Sequence, residues 1–230
     1  MNGPLLKNID SAGAGGHWNQ PPEQARAPRG IDREKVAILG LRLFLGAVSS
    51  LFLLFLLAFI ARSQMVDWQP LTDPLAPLAS ARQLWLNTVL LVLASISLQW
   101  ARRAARRGAL KDAGLGFALG GVFTIAFLGG QLWVWKQFVD WGYFVSGNPA
   151  NSFFYLLTGM HGLHLLGGLV AWGRACARFQ RGVALSRLKT SVELCAIYWH
   201  YLLGLWIVLL VLLTSTPETY QAIAAFCGLR

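Results

Sequence analysis

The stretch LRLFLGAVSSLFLLFLLAFIA, residues 41–61, holds one charged side chain, Arg42, in twenty-one positions. A helix needs roughly 20 apolar residues to cross about 30 Å of hydrocarbon, and this stretch supplies them. Four more apolar runs follow. The five spans are read as Val36–Ala61, Leu84–Ala101, Ala113–Trp135, Ser152–Arg174 and Val192–Thr214. In lipid every backbone N–H and C=O must be satisfied within the span, so each run is expected to be a helix. The fold class that follows is all-α, a membrane bundle of five transmembrane helices.

The composition agrees. Charged residues make up 13% of the 230-residue chain and apolar residues 55%, against about 25% charged in an ordinary soluble domain. A soluble enzyme and a disordered regulator are thereby set aside. The net charge of +10 suits anionic lipid head groups. It does not suggest nucleic acid, because no recognition motif accompanies it.

Residues 1–35 are polar and rich in Gly, Pro and Gln, and read as a flexible N-terminal tail without a signal-peptide core. The bundle takes 36–215, and 216–230 reads as a short tail. Counted along the chain, the N-terminal tail, the four loops and the C-terminal tail carry five, two, five, one, five and one Lys or Arg. The positive-inside rule then puts the N terminus in the cytoplasm and the C terminus in the periplasm. Trp68, Trp85, Trp100, Trp133, Trp135, Trp141 and Trp172 fall near span ends, as an interfacial aromatic belt would. Gly116 with Gly120, Gly129 with Gly130, and Gly159, Gly162, Gly167 and Gly168 read as helix-packing positions. Cys176, Cys195 and Cys227 form no CxxC and read as free or buried thiols.

Polar residues inside a bilayer carry the most information. Arg42 is placed to snorkel or to hold a phosphate. Glu193 sits near the basic end of span five and is expected to be solvated or paired with a loop arginine. His161 and His164 share one face of span four by their i, i+3 spacing, and His200 lies near mid-depth in span five. Three imidazoles at similar levels leave two readings open: interhelical hydrogen bonding or lipid contact, and metal or haem ligation, with His164 and His200 as a haem-b pair. A small transporter would show internal repeats, and none is visible.

Two strings carry a family resemblance. FFYLLTGMHGLHLLGGLVAW, Phe153–Trp172, resembles the signature of subunit III of haem-copper terminal oxidases, the cytochrome c oxidase type. YWHYLLGLW, Tyr198–Trp206, resembles that family's YWHFVD motif. Asn87-Thr88, Gln131 and the opening LRLFLGAVSSLFLLF are similar to the corresponding positions of its short, five-span form. The resemblance covers roughly 36–215. It departs at Val48, Val134 and Leu203, where the family often has a carboxylate, so any proton-antenna role of such groups is not implied.

The resemblance implies a non-catalytic subunit of a proton-pumping respiratory oxidase that reduces oxygen to water in aerobic electron transport. Such a subunit resides in the bacterial inner membrane and holds no redox centre. Haem and copper would sit in partner subunits. Subunit I would be its direct partner, with subunit II in the same complex. Phospholipid would occupy a V-shaped cleft between the first two helices and the rest. An accessory subunit of a quinol oxidase or nitric oxide reductase is the neighbouring expectation. Arg42, Asn87, Gln131, His161, His164, Glu193, Trp199 and His200 are then lipid or structural motif residues, with no catalytic and no metal-binding residue in the chain.

Overall fold

A computed structural model describes residues 33–72, 82–180, 185–226 and 228. The expected tail up to residue 32, Pro74, Pro77 and Cys227 lie outside them. The described chain is helical: α1 (Arg33–Arg62), α2 (Arg82–Arg107), α3 (Leu110–Asp140), α4 (Pro149–Gln180), α5 (Leu185–Leu213) and α6 (Pro217–Phe226). Five of these, α1 to α5, are long and apolar enough to cross a membrane. The sixth, α6, lies where the sequence predicted only a short tail.

Helix ends follow local chemistry. α2 runs through Arg102, Arg103, Arg106 and Arg107, which the sequence reading placed in a loop. Arginine is a good helix former, and cations near a helix C-terminus complement its dipole. Gly108 then stops the helix at φ 79°. Its N–H donates to Ala105 O (3.2 Å) and that of Ala109 to Ala104 O (3.0 Å), the Schellman pattern that favours glycine. This two-residue turn sends α3 straight back along α2. Asn148 caps α4 by accepting from Ala150 N (3.2 Å), with Pro149 in the first helical position. Its amide also donates to Gln69 O (2.7 Å), tying the α1–α2 loop to α4.

Many large apolar side chains face outward, as a lipid environment allows, and small residues let helices approach closely at particular seams. On α2, Leu86, Val89 and Ile96 are exposed, while Ala94, Ser95 and Ala101 are buried. A Cβ on Gly116 would lie 2.9 Å from Ser97 O, and one on Gly120 2.6 Å from Leu98 Cγ. The predicted small-residue pair is thus the seam that brings α2 and α3 together. Gly129 and Gly167, by contrast, meet nothing within 4 Å among the described residues.

α2 packs chiefly on α3 and then on α5, α4 packs on α5, and α1 lies on α4, α5 and α6. Among the described residues the first two helices therefore do not form a unit opposite the remaining three, which differs from the division that the expected V-shaped cleft supposes. The physical reason is the distribution of small residues. The α2 partner surface is offered by glycines of α3, whereas Gly40 and Gly46 of α1 face open space. Of the span-end tryptophans, Trp85, Trp100, Trp133 and Trp141 are exposed. Trp172 instead donates to Phe117 O (2.8 Å) across to α3. Trp68 packs edge-on against Phe59 with centroids 5.0 Å apart. Phe59 also meets Phe153 and Tyr220, and the Tyr220 hydroxyl donates to Leu212 O (2.7 Å), so this aromatic group clamps α1, α4, α5 and α6.

Candidate functional site

The motif-bearing helices α4 and α5 meet their neighbours through tryptophan–threonine pairs. Trp199 Nε1 donates to Thr124 Oγ1 of α3 (2.7 Å). Trp206 Nε1 donates to Thr88 Oγ1 of α2 (2.9 Å). Trp135 Nε1 of α3 donates to Thr158 Oγ1 of α4 (3.1 Å). Each threonine passes its own proton to the carbonyl four residues back: Gly120, Leu84 and Phe154. Each of these three hydroxyls therefore both donates and accepts, and each of these three indole N–H groups is satisfied, as an apolar interior demands. The sequence points to Trp199 and, through the family resemblance, to Thr88, whereas Thr124 is not among the expected residues. Its signal lies in its place, since a hydroxyl inside an apolar span needs a partner.

Tyrosines fix the other flank of α5. Tyr198 OH donates to His164 O of α4 (2.9 Å). Ser49 Oγ of α1 donates to Leu45 O (2.8 Å), so the 2.8 Å contact between it and Tyr201 OH has the tyrosine as donor.

The three membrane histidines are not gathered into one group; His161 and His164, which their i, i+3 spacing puts on one face of span four, meet different neighbours, and His200 lies apart on α5. His161 is fully buried, with its ring 5.1 Å from Trp206 and 6.0 Å from Phe127, and neither ring nitrogen has a hydrogen-bond partner among the described residues. Interhelical hydrogen bonding is thus not its role here. His164 turns toward α1, with Phe52 at 5.5 Å and Phe44 at 6.5 Å. His200 is exposed. An i, i+3 pair is about 60° short of a full turn, because 3 × 100° is 300°. That offset is enough to separate an interior position from one at the bundle edge. The rings of His164 and His200 point to different faces, so the arrangement does not offer the bis-histidine pair that a haem b would need. Among the described residues no three His, Cys, Asp or Glu side chains gather as a metal-holding group.

Asn87 and Gln131 are buried. Asn87 lies over Gly130, where a Cβ would come within 2.1 Å of its Oδ1. Asn87 Nδ2 and both amide atoms of Gln131 have no hydrogen-bond partner among the described residues. Val48 is buried one turn from both Phe44 and Phe52, so a carboxylate at this position would face His164. Val134 is buried and Leu203 half-buried. All three departures from the carboxylate pattern are therefore apolar packing positions in this chain.

At the end of the bundle that carries the arginines, Glu193 accepts from Arg102 (2.5 Å) and Arg106 (2.7 Å) of α2. This cluster joins α5 to α2 in partly exposed surroundings. Replacing Glu193 with glutamine is expected to cost about 1–2 kcal/mol through loss of charge-assisted bonds. Denaturant titration in mixed micelles would read this, and the loss should shrink in high salt because the cluster is partly exposed. At the same end Arg42 is exposed and has no partner among the described residues. Beside it lies an apolar cavity of about 360 Å³ between α1, α4 and α5, lined by Leu41, Phe44, Gly168, Cys195, Tyr198 and Trp199 among others.

Comparison with known proteins supplies the family. Residues 33–215 match the family described as Cytochrome c oxidase subunit III. Cytochrome c oxidase subunit 3 of Synechocystis sp. is 33% identical over 179 residues, 76% of this chain and 73% of that protein. The same subunit of Thermostichus vulcanus is 27% identical over 178 residues, covering 76% and 85%. The probable cytochrome c oxidase subunit 3 of Mycobacterium leprae is 28% identical over 157 residues, covering 68% and 75%. The matched region takes in all five membrane-length helices and both motif strings. The chain therefore belongs to the cytochrome c oxidase subunit III family.

Proposed function

We propose that this chain is the non-catalytic subunit III of a haem-copper oxidase in a bacterial cell membrane, where it packs on the subunit that holds haem and copper and retains phospholipid. The observation that carries this reading is the use made of the motif residues. Thr158, Tyr198, Trp199 and Trp206 are spent on joining helices, and His161 packs among aromatic rings. Side chains committed in this way brace a bundle and leave the electron chemistry to a neighbour. The arginine-rich end faces the cytoplasm in this reading, from the loop charges.

The lipid seat is assigned to the cavity beside Arg42. An acyl chain fits the apolar lining between α1, α4 and α5. The guanidinium would meet the phosphate through charge-assisted hydrogen bonds. The test is mild-detergent purification of the tagged chain from its native membrane. The expected result is co-purification of a large subunit with a haem Soret band, and several tightly held phospholipids per complex by mass spectrometry. Arg42→Gln should lower that lipid count while leaving the haem content intact. A chain recovered alone, under conditions that keep respiratory complexes together, would refute the oxidase assignment. An unchanged lipid count in the variant would refute the seat.

A further inference from the structure

The face of α5 between α1 and α2 carries a polar group in a place that lipid cannot satisfy. Four aromatic side chains of this helix are committed inward or sideways: Trp199 to α3, Trp206 to α2, Tyr198 to α4 and Tyr201 to α1. His200 points away from all of them and is exposed, in a row with Gly204, Ile207 and Val211, which are exposed as well. A Cβ built on Gly204 meets nothing within 4 Å. The row borders an apolar groove of about 470 Å³ between α1 and α5, lined by Phe52, Leu53, Leu56, Gly204, Leu205 and Val208 among others.

The depth of His200 decides what could pair with it. It stands 11 residues from Lys189 and 13 from Leu213, the two ends of the span. At 1.5 Å per residue that is about 16 and 20 Å from either end. Lipid head groups stay at the interface, and acyl chains offer no hydrogen bond. A polar side chain facing hydrocarbon at this depth is costly.

The atom that needs the partner is also defined. His200 Nδ1 lies 2.6 Å from Ala196 O. A carbonyl oxygen only accepts, so Nδ1 carries the proton, and in the neutral ring Nε2 presents a lone pair outward. The complement is a donor. Toward the basic end the same flank continues through the half-buried Gln99, one turn from Arg102, and then the cluster of Glu193 with Arg102 and Arg106. The flank thus runs from a charged foot to a single acceptor at mid-depth, with an open glycine above it.

We infer that the α5 face around His200 and Gly204 is the docking surface for a transmembrane helix of a partner subunit, and that this helix presents a hydrogen-bond donor (a hydroxyl, an indole N–H or a carboxamide) to His200 Nε2. The inference rests on the oxidase-subunit reading and adds the surface and the complementary chemistry. It places the partner on the side of α5 away from the lipid cavity beside Arg42.

The test uses the intact complex in native membranes. A photo-crosslinking residue at Gly204, where the fold has room for it, is expected to capture a polytopic partner subunit. The same residue at Leu132, on an exposed face of α3, serves as the comparison. Separately, His200→Leu should lower several-fold the fraction of chain that stays with the haem-containing subunit through gel filtration. His200→Gln, which keeps an acceptor, should restore most of it. Among the described residues His200 contacts no other helix through a hydrogen bond or ring pair, so both variants should keep the wild-type circular dichroism and melting midpoint. If the haem-containing subunit co-purifies but Gly204 labels only lipid, or His200→Leu is retained like wild type, the docking surface is wrong and the oxidase reading stands. If no haem-containing subunit accompanies the wild-type chain, the oxidase reading fails and takes this inference with it.

Discussion

Replacing Trp206 with alanine is expected to destabilise the chain more than any other single truncation, by about 3 kcal/mol. Only 1% of this residue is exposed. It stands where four helices meet: its indole N–H bonds Thr88 of α2, its ring is 5.0 Å from Phe127 of α3 and 5.1 Å from His161 of α4, and it belongs to α5 itself. Truncation opens a void that none of these neighbours can fill without shifting a helix. The estimate sits at the low end of the range for Trp in soluble cores. Unfolding within a membrane exposes side chains to lipid and not to water, so the lost quantity is close packing and not hydrophobic transfer. Trp206→Phe keeps a six-membered ring but removes the donor together with the five-membered half of the indole. Its cost should fall between, about 1–2 kcal/mol, from the lost hydrogen bond and a small void. Unfolding titrations in mixed micelles followed by circular dichroism would rank the two. Equal midpoints for Trp206→Ala and wild type would remove Trp206 from the role of junction.

The second large effect is expected from valine at Gly116, about 2–3 kcal/mol from overpacking. A side chain there meets the Ser97 carbonyl oxygen at 2.9 Å, the Trp100 ring at 3.0 Å and the Ala101 nitrogen at 3.1 Å. Two of these are backbone atoms and cannot rotate aside, so α2 and α3 would have to move apart along their longest shared seam. Gly129 lies on the same helix with nothing within 4 Å of its Cβ position. Valine there should leave the isolated chain's stability unchanged within about 0.5 kcal/mol. The contrast is the diagnostic result. If both variants lose stability equally, helix propensity and not the seam is responsible.

The number and order of the membrane helices were legible in the residues, because span length along the chain is a one-dimensional property set by bilayer thickness. The family motif was legible too, since Phe153–Trp172 and Tyr198–Trp206 are contiguous strings. For Glu193 the residues allowed two states, solvated or paired with a basic residue, and the structure shows the pair with Arg102 and Arg106. Which way each side chain faces did not follow. In water, an apolar stripe marks the inner face of a helix. In lipid, the outer face is apolar as well, so Leu86 and Leu91 read alike although one is exposed and the other buried. The same ambiguity made Gly116 and Gly129 equivalent on paper and put His161 and His164 on one face. Only the tertiary packing of α2 against α3, and of α5 among its four neighbours, set the rotation of each helix about its own axis. That rotation decided which polar groups are braced inside and left His200 at the membrane-facing surface.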